Sequence, residues 1–261
     1  LLFVLRKLIC ILKLGLNQDK IGEHAPTATH TTLTVIVKDK PMTELVLAVN
    51  RTELSKQGIS PEGLSPINLN LLDSLNYAWL PRHTADDKSN PSLALGQLYP
   101  QVIGYFQITN GSRILTYQRK GKEEGLLGKW SIGVGGHVSQ EDLVERILVY
   151  RDSYPDIQQL IYDGSIREVQ EEIGLEIAGN PVLGSQESFI NNAAHVLHQW
   201  SDPTSTVHIG LPMEVPITGP AAKNLKLDPK EFHNIAWLTP IELKASNLEF
   251  EPWSQLLVDN M

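Results

Sequence analysis

Three glutamates, Glu168, Glu171 and Glu172, crowd into the stretch "REVQEEIGL" at 167–175. On a helix, residues three and four apart share a face. The three carboxylates would then project together, while Ile166, Val169 and Ile173 fall largely on another face and pack inward. Like charges at these spacings destabilise an isolated helix by roughly a few tenths of a kcal/mol per pair. Gly174 ends the helix, because glycine tolerates the left-handed conformation found there. Two readings fit the spacing: a solvated acidic face, or a carboxylate cluster for a hard divalent cation. Mg²⁺ takes oxygen ligands and keeps several waters, which leaves room for substrate phosphates.

Upstream, "GKWSIGVGGH" places Gly133, Gly135 and Gly136 at a strand end, ahead of the helical segment. Glycines there let the backbone pass close to a metal or a phosphate. A glycine-rich loop alone is weak evidence; one followed by R-E-x-x-E-E-x-G is far more specific. Arg82 in "LPRHTADD", Arg119 or Lys120 in "YQRKGK", and Lys129 beside Trp130 are candidate phosphate contacts, since arginine forks around phosphate oxygens. Each also reads as an ordinary surface charge. His137 adjoins the glycines, and Glu187 and Glu214 are candidates for a further base or ligand. Trp79, Trp200, Trp237 and Trp253 offer stacking surfaces, although most tryptophans serve as core anchors.

Gly136 together with "REVQEEIGL" resembles the Nudix box, G-x5-E-x7-R-E-U-x-E-E-x-G-U with U aliphatic. "LTYQRK", "GKW" and "AWLTPIEL" resemble the strands and helix that flank this box, so the resemblance covers roughly residues 99–260. It implies an α/β/α sandwich around a mixed sheet, and Mg²⁺- or Mn²⁺-dependent hydrolysis of a nucleoside diphosphate linked to a further group. It makes Glu168, Glu171 and Glu172 the metal ligands, with the carbonyl of Gly135 completing the shell. Arg167, Glu168 and Glu171 become the catalytic set. Glu168 acts as or assists the general base, and Arg167 orients the carboxylates through charged hydrogen bonds. The partner implied is a small phosphorylated molecule, and a homodimer is a family-level expectation.

The chain departs from that pattern in three places. The pattern separates its first glycine and its arginine by 14 positions, whereas here the separation is 167 − 136 = 31. The first glutamate of the box falls on Asp142 counting forward from Gly136, and on Gln159 counting back from Arg167. "WSIGVGGH" lacks the proline usual before the glycine pair. These departures resemble a branch of the family described as predicted phosphoesterases. The "GGHV" form also resembles isopentenyl-diphosphate isomerases, but that chemistry relies on a cysteine, and the single cysteine here is the distant Cys10.

The elements that must position these residues read as mixed α/β, without the regular alternation of a doubly wound sheet. "TELVLAVNRTEL" reads as a strand with a turn, 69–80 as a short helix, and 99–120 as a hairpin about Asn110-Gly111. Residues 139–173 read as mainly helical with a break near 153–155. "LEIAGNPVLGSQESFINN" and "TSTVHIGLPMEVPI" supply strands, "EFHNIAWLTPIELKAS" a strand and a helix started at Thr239-Pro240, and "FEPWSQLLVDNM" a closing helix.

The 261 residues suit one domain with extensions. Residues 99–261 form the Nudix-like domain with an insertion at about 139–158, residues 42–98 pack on it, and residues 1–41 are expected to be a non-native or poorly ordered extension. A net charge of −8 argues against a nucleic-acid polymer as partner. "LLFVLRKLICILKLGL" is interrupted by Arg6, Lys7 and Lys13, so its apolar runs are too short to span a bilayer. One cysteine excludes a disulfide framework within the chain and suits a reducing cytoplasm. The leading expectation is a metal-dependent hydrolase; the alternative is a catalytically silent domain of the same fold that binds a nucleotide-like ligand as a sensor.

Overall fold

β-branched and aromatic runs build a curled mixed sheet in the computed structural model. The model describes residues 44–67, 74–85, 98–120, 125–150, 157–174, 195–202, 205–217 and 227–261, with Ala222 and Leu225. The strands are β1 (Leu45–Val49), β2 (Glu62–Pro66), β3 (Tyr77–Pro81), β4 (Gln101–Asn110), β5 (Arg113–Arg119), β6 (Trp130–Ser131), β7 (Val134–His137), β8 (His195–Gln199), β9 (His208–Pro216) and β10 (Phe232–Leu238). The helices are α1 (Arg51–Lys56), α2 (Arg82–Ala85), α3 (Gln140–Tyr150), α4 (Ile157–Ile173), α5 (Pro240–Ala245) and α6 (Pro252–Asn260).

β4 is the axis of the sheet. One edge pairs in parallel with β9 over its whole length. The other edge is shared along its length: Gln101 meets β1, Ile103–Phe106 meet β7, and Thr109 and Asn110 meet β5. Dividing one edge among three partners forces the sheet to curl. The main order is β10-β5-β4-β9-β8-β2.

Alternation along β4 sends successive side chains to opposite faces. Val102, Phe106 and Ile108 pack with Leu160, Ile161, Val169 and Ile173 of α4. Ile103 and Tyr105 pack on the other face with Leu243 of α5 and Trp253, Leu257 and Val258 of α6. A helix layer on each face of a mixed sheet is the α/β/α sandwich expected. Gly104 of β4 lets α4 come close, because a Cβ there would collide with Ser165.

Several local readings hold. The hairpin forms, with Asn110 paired to Arg113 and a positive φ of 61° at Gly111. The turn is therefore Gly111-Ser112, one residue later than Asn110-Gly111. Thr239 caps α5 in a reciprocal capping box with Glu242. The closing helix α6 forms, and α3 and α4 flank the expected break. α3 fills much of the insertion at 139–158, and its Leu143 joins the α4-side core.

Others change. Tyr77–Pro81, read as the end of a helix over 69–80, is strand β3, paired with β1 from Val49↔Tyr77 to Leu45↔Pro81. "AVNRTEL" does not merely turn: Asn50 accepts from the N–H of Thr52 at 2.9 Å and of Glu53 at 3.3 Å, and starts α1. By contrast, Gly135 and Gly136 do end a strand as expected: they lie in β7, one residue short of its end. β8 has no counterpart in the sequence reading. The strand expected over 175–192 and the extension at 1–41 lie outside the described residues. Among the described residues no helix is long and apolar enough to cross a membrane.

Candidate functional site

β7 and α4 bring the glycines and the glutamates together. Gly136 faces α4 so closely that a Cβ would overlap the Glu168 side chain. Only glycine admits the helix at that distance. One residue earlier, Gly135 points to the opposite face, against Ile103 and Tyr105. The glycine pair thus serves both faces of one strand.

Arg167 is the hub. Its Nε–H donates to Asp142 Oδ1 at 2.7 Å and its Nη2 to Asp142 Oδ2 at 3.3 Å, a two-point grip. Nη1 donates to Glu168 Oε1 at 2.7 Å and to Glu171 Oε2 at 3.5 Å. Nη2 also donates to the carbonyl of His137 at 2.9 Å. Burial works against this guanidinium's charge, but the Asp142 bonds and the charges of Asp142 and Glu168 outweigh it and hold its pKa above the ordinary value. Asp142 is buried and also accepts the N–H of Ser139 at 2.7 Å, which closes the first turn of α3.

The carboxylates differ in setting. Burial raises the pKa of Glu168, against the opposing pull of Arg167. Burial, then the charge of Glu168, pushes Glu172 up to about 8, opposed by Arg119. Glu171 is the exposed member, with 61% of its side chain accessible. The donor set is hard oxygen throughout, the type that Mg²⁺ and Mn²⁺ take. Glu172 is a partly buried acid among like charges, a cost that a cation would relieve. As they stand, however, Glu168 and Glu171 are turned onto Arg167, and among the described residues no three such side chains converge on one point.

An open cleft of about 560 Å³ lies across β7 from α4, lined by Ile103, Arg119, Gly135, His137, Glu251 and Trp253, among others. Of the cations expected to meet phosphate, Arg119 lines this cleft. Arg82 pairs with exposed Glu44 at 3.0 Å, and Lys129 lies 3.8 Å from Glu249. Burial lowers the pKa of His137 well below the usual imidazole range, with Arg82, His208 and Arg167 adding to the effect. Of the tryptophans, Trp253 reaches the cleft; Trp79 and Trp237 pack on the α4-side core and Trp200 stacks under Arg51 at 3.9 Å. Glu214 is on β9 and accepts from Thr109 at 3.0 Å. Glu187 lies outside the described residues.

No protein-family model and no curated protein matches the chain. Among solved structures, Tm1382, provisionally described as a Nudix hydrolase, superposes with a TM-score of 0.58 over 83% of this chain and 97% of its own, at 22% identity. The chain has the Nudix fold. Two other structures match more weakly and add nothing to that assignment. DR0079 from Deinococcus radiodurans gives a TM-score of 0.43 at 14% identity over 76% of this chain and 98% of its own. A MutT protein from Methanosarcina mazei Go1 gives 0.38 at 16% identity over 62% and 92%. Of the two positions on which the box glutamate falls by counting, Asp142 accepts from Arg167, whereas Gln159 donates to Asp163. Glu251 had no sequence signal: the groups around it come from residues 105, 131 and 254, and no local motif joins them.

Proposed function

We propose that the chain is a divalent-metal-dependent hydrolase that cleaves a phosphoanhydride or phosphoester bond in a small molecule of the nucleoside diphosphate type. The observation that carries this is the Arg167 hub, on the helix that also carries the partly buried Glu172: it gathers Asp142, Glu168, Glu171 and the carbonyl of His137. A helix that needed only solubility would not partly bury two of its acids and hold a third to a shared guanidinium.

Glu168, Glu171 and Glu172 would hold Mg²⁺ or Mn²⁺, with the carbonyl of Gly135 as a further oxygen. A cation bound there neutralises phosphate charge and acidifies a bound water. Glu168, whose pKa burial raises, would be the residue to take a proton from an attacking water. Arg167 sets the direction of Glu168 and Glu171. Arg119 would meet a phosphate from its place in the lining of the cleft. The absent box glutamate would favour a silent binding domain; Asp142 gripping Arg167 from two sides answers that loss.

The test is a hydrolysis screen of nucleoside triphosphates, ADP-ribose, NAD, dinucleoside polyphosphates and coenzyme A with Mg²⁺ and with Mn²⁺. Glu171→Gln and Glu172→Gln run beside the wild type. Cleavage of at least one compound by the wild type, lost in both variants, is the expected result. No cleavage by the wild type, or undiminished cleavage by the variants, ends the proposal.

A further inference from the structure

Glu251 stands at the N-cap of α6 but caps nothing, since none of the helix's backbone N–H groups reaches its side chain. Only 4% of the residue is exposed. A carboxylate taken out of water is costly unless it is hydrogen-bonded and paired. Here Oε1 accepts three hydroxyls: Tyr105 at 2.5 Å, Ser131 at 2.6 Å and Ser254 at 3.1 Å. Burial, then the charge of Glu251, holds the Tyr105 phenol far above its ordinary pKa, so it remains a donor. Its ring is fixed in turn, edge-on to Trp253 at 5.6 Å and seated against Gly133, where a Cβ would collide with it.

Three donors on one oxygen fix the plane of the carboxylate and leave Oε2 toward Arg119 Nη1, 3.7 Å away. Arg119 is the last residue of β5 and lines the cleft together with Gly135. The charge of Arg119 opposes the rise in the pKa of Glu172. One guanidinium therefore lines the cleft beneath α6 and acts electrostatically on the acidic cluster of α4.

We infer that Glu251 is a positioning residue: clamped by the hydroxyls of Tyr105, Ser131 and Ser254, it holds Arg119 in the lining of the cleft, where a substrate phosphate meets it. This rests on the proposed function only in taking phosphate as the group that arrives there. Glu251 acts through Arg119, so its loss should change nothing once Arg119 is gone.

The experiment titrates inorganic pyrophosphate with Mg²⁺ into the full chain by calorimetry, and measures KM and kcat on whichever compound the screen finds. Glu251→Gln keeps an oxygen for the three hydroxyls and removes the charge. It should weaken pyrophosphate binding about tenfold and raise KM more than it lowers kcat, in keeping with the loss of one charged partner. Glu251→Asp should recover part of the loss. In an Arg119→Met background, Glu251→Gln should add no further loss. Tyr105→Phe, which frees the carboxylate and keeps its charge, gives a second route should Glu251→Gln fail to fold, and should weaken binding in the same direction. Unchanged pyrophosphate binding in whichever of these variants folds, or losses that add in full to that of Arg119→Met, overturns the inference. Pyrophosphate binding that depends on Glu251 in a chain that hydrolyses nothing would sink the hydrolase proposal and leave this one standing. Hydrolysis with a KM indifferent to Glu251 would do the reverse.

Discussion

Asp142 and Arg167 are joined by a two-point ion pair, 2.7 Å and 3.3 Å, across the insertion that separates the glycine strand from the acidic helix. Residues Gln140–Tyr150, between that strand and that helix, form α3, and α3 begins by delivering Asp142. The first turn both caps itself, through the Ser139 N–H, and supplies the acid for Arg167. A stretch of chain that lengthens the motif in sequence thus leaves its spatial closure intact.

Asp142→Asn should therefore disable the site without removing any of the three glutamates. The amide can still accept from Arg167, but it no longer balances the charge of a half-buried guanidinium. Loss of such a supporting partner lowers activity roughly 10- to 100-fold, and the weakened charged hydrogen bonds cost about 1–3 kcal/mol of stability. Steady-state kinetics and urea unfolding check both. Activity equal to wild type would mean that Asp142 supports the fold alone.

Gly136→Ala tests the contact between strand and helix. The added methyl would occupy the space of the Glu168 side chain, and overpacking of this kind costs about 1–3 kcal/mol. Glu168 should be displaced, so activity falls further than the stability loss explains. Gly111→Ala serves as the control. It strains a positive φ in the hairpin turn, where a Cβ meets nothing within 4 Å, and should lower stability while leaving kcat unchanged.

The sequence was most readable where the signal is local. The face of α4, the glycine turn of the hairpin and the capping box at Thr239 each depend on residues within a few positions of one another. β3 was misread because "YAWLP" is short and apolar, and such a run suits a helix end as well as a strand; pairing with β1 decides it. β7 was legible as a strand ending in glycines; the reason they are kept, close approach to α4 and Tyr105, appears only in the fold. β8 reads "HVLHQ", and its two histidines hide a strand whose three central residues, Val196, Leu197 and His198, are all buried. Glu251 was invisible because its meaning lies in four residues that only the fold assembles.

Metal binding should be visible without any substrate. A cation that binds the folded chain alone adds about 2.7 kcal/mol at a concentration 100 times its Kd. Mg²⁺ or Mn²⁺ should accordingly raise Tm in the wild type, while Ca²⁺-free chelated samples stay at the baseline. Glu172→Gln should abolish the metal-dependent rise yet raise the baseline Tm at pH 8, because it removes a partly buried acid repelled by Glu168. A metal-dependent rise that survives in both Glu171→Gln and Glu172→Gln would place the cation elsewhere.

His198 should make the fold sensitive to acid independently of the site. The ring is fully buried on β8, edge-on to Trp200 at 4.3 Å. Burial, then the charge of Arg51, lowers its pKa from 6.5 to about 3, with the Ser60 backbone opposing weakly. Between those values the unfolded chain binds a proton at this position and the folded chain does not. The unfolded state therefore gains protons first as pH falls, and stability drops from about pH 6.5 downward. Above pH 6.5 this contribution is fully present and flat. His198→Phe keeps the edge-to-face contact and cannot take up a proton. Its stability, measured by urea unfolding at pH 7.5 and pH 4.5, should fall less between the two than that of the wild type. An equal fall in both proteins would show that His198 carries none of the acid sensitivity.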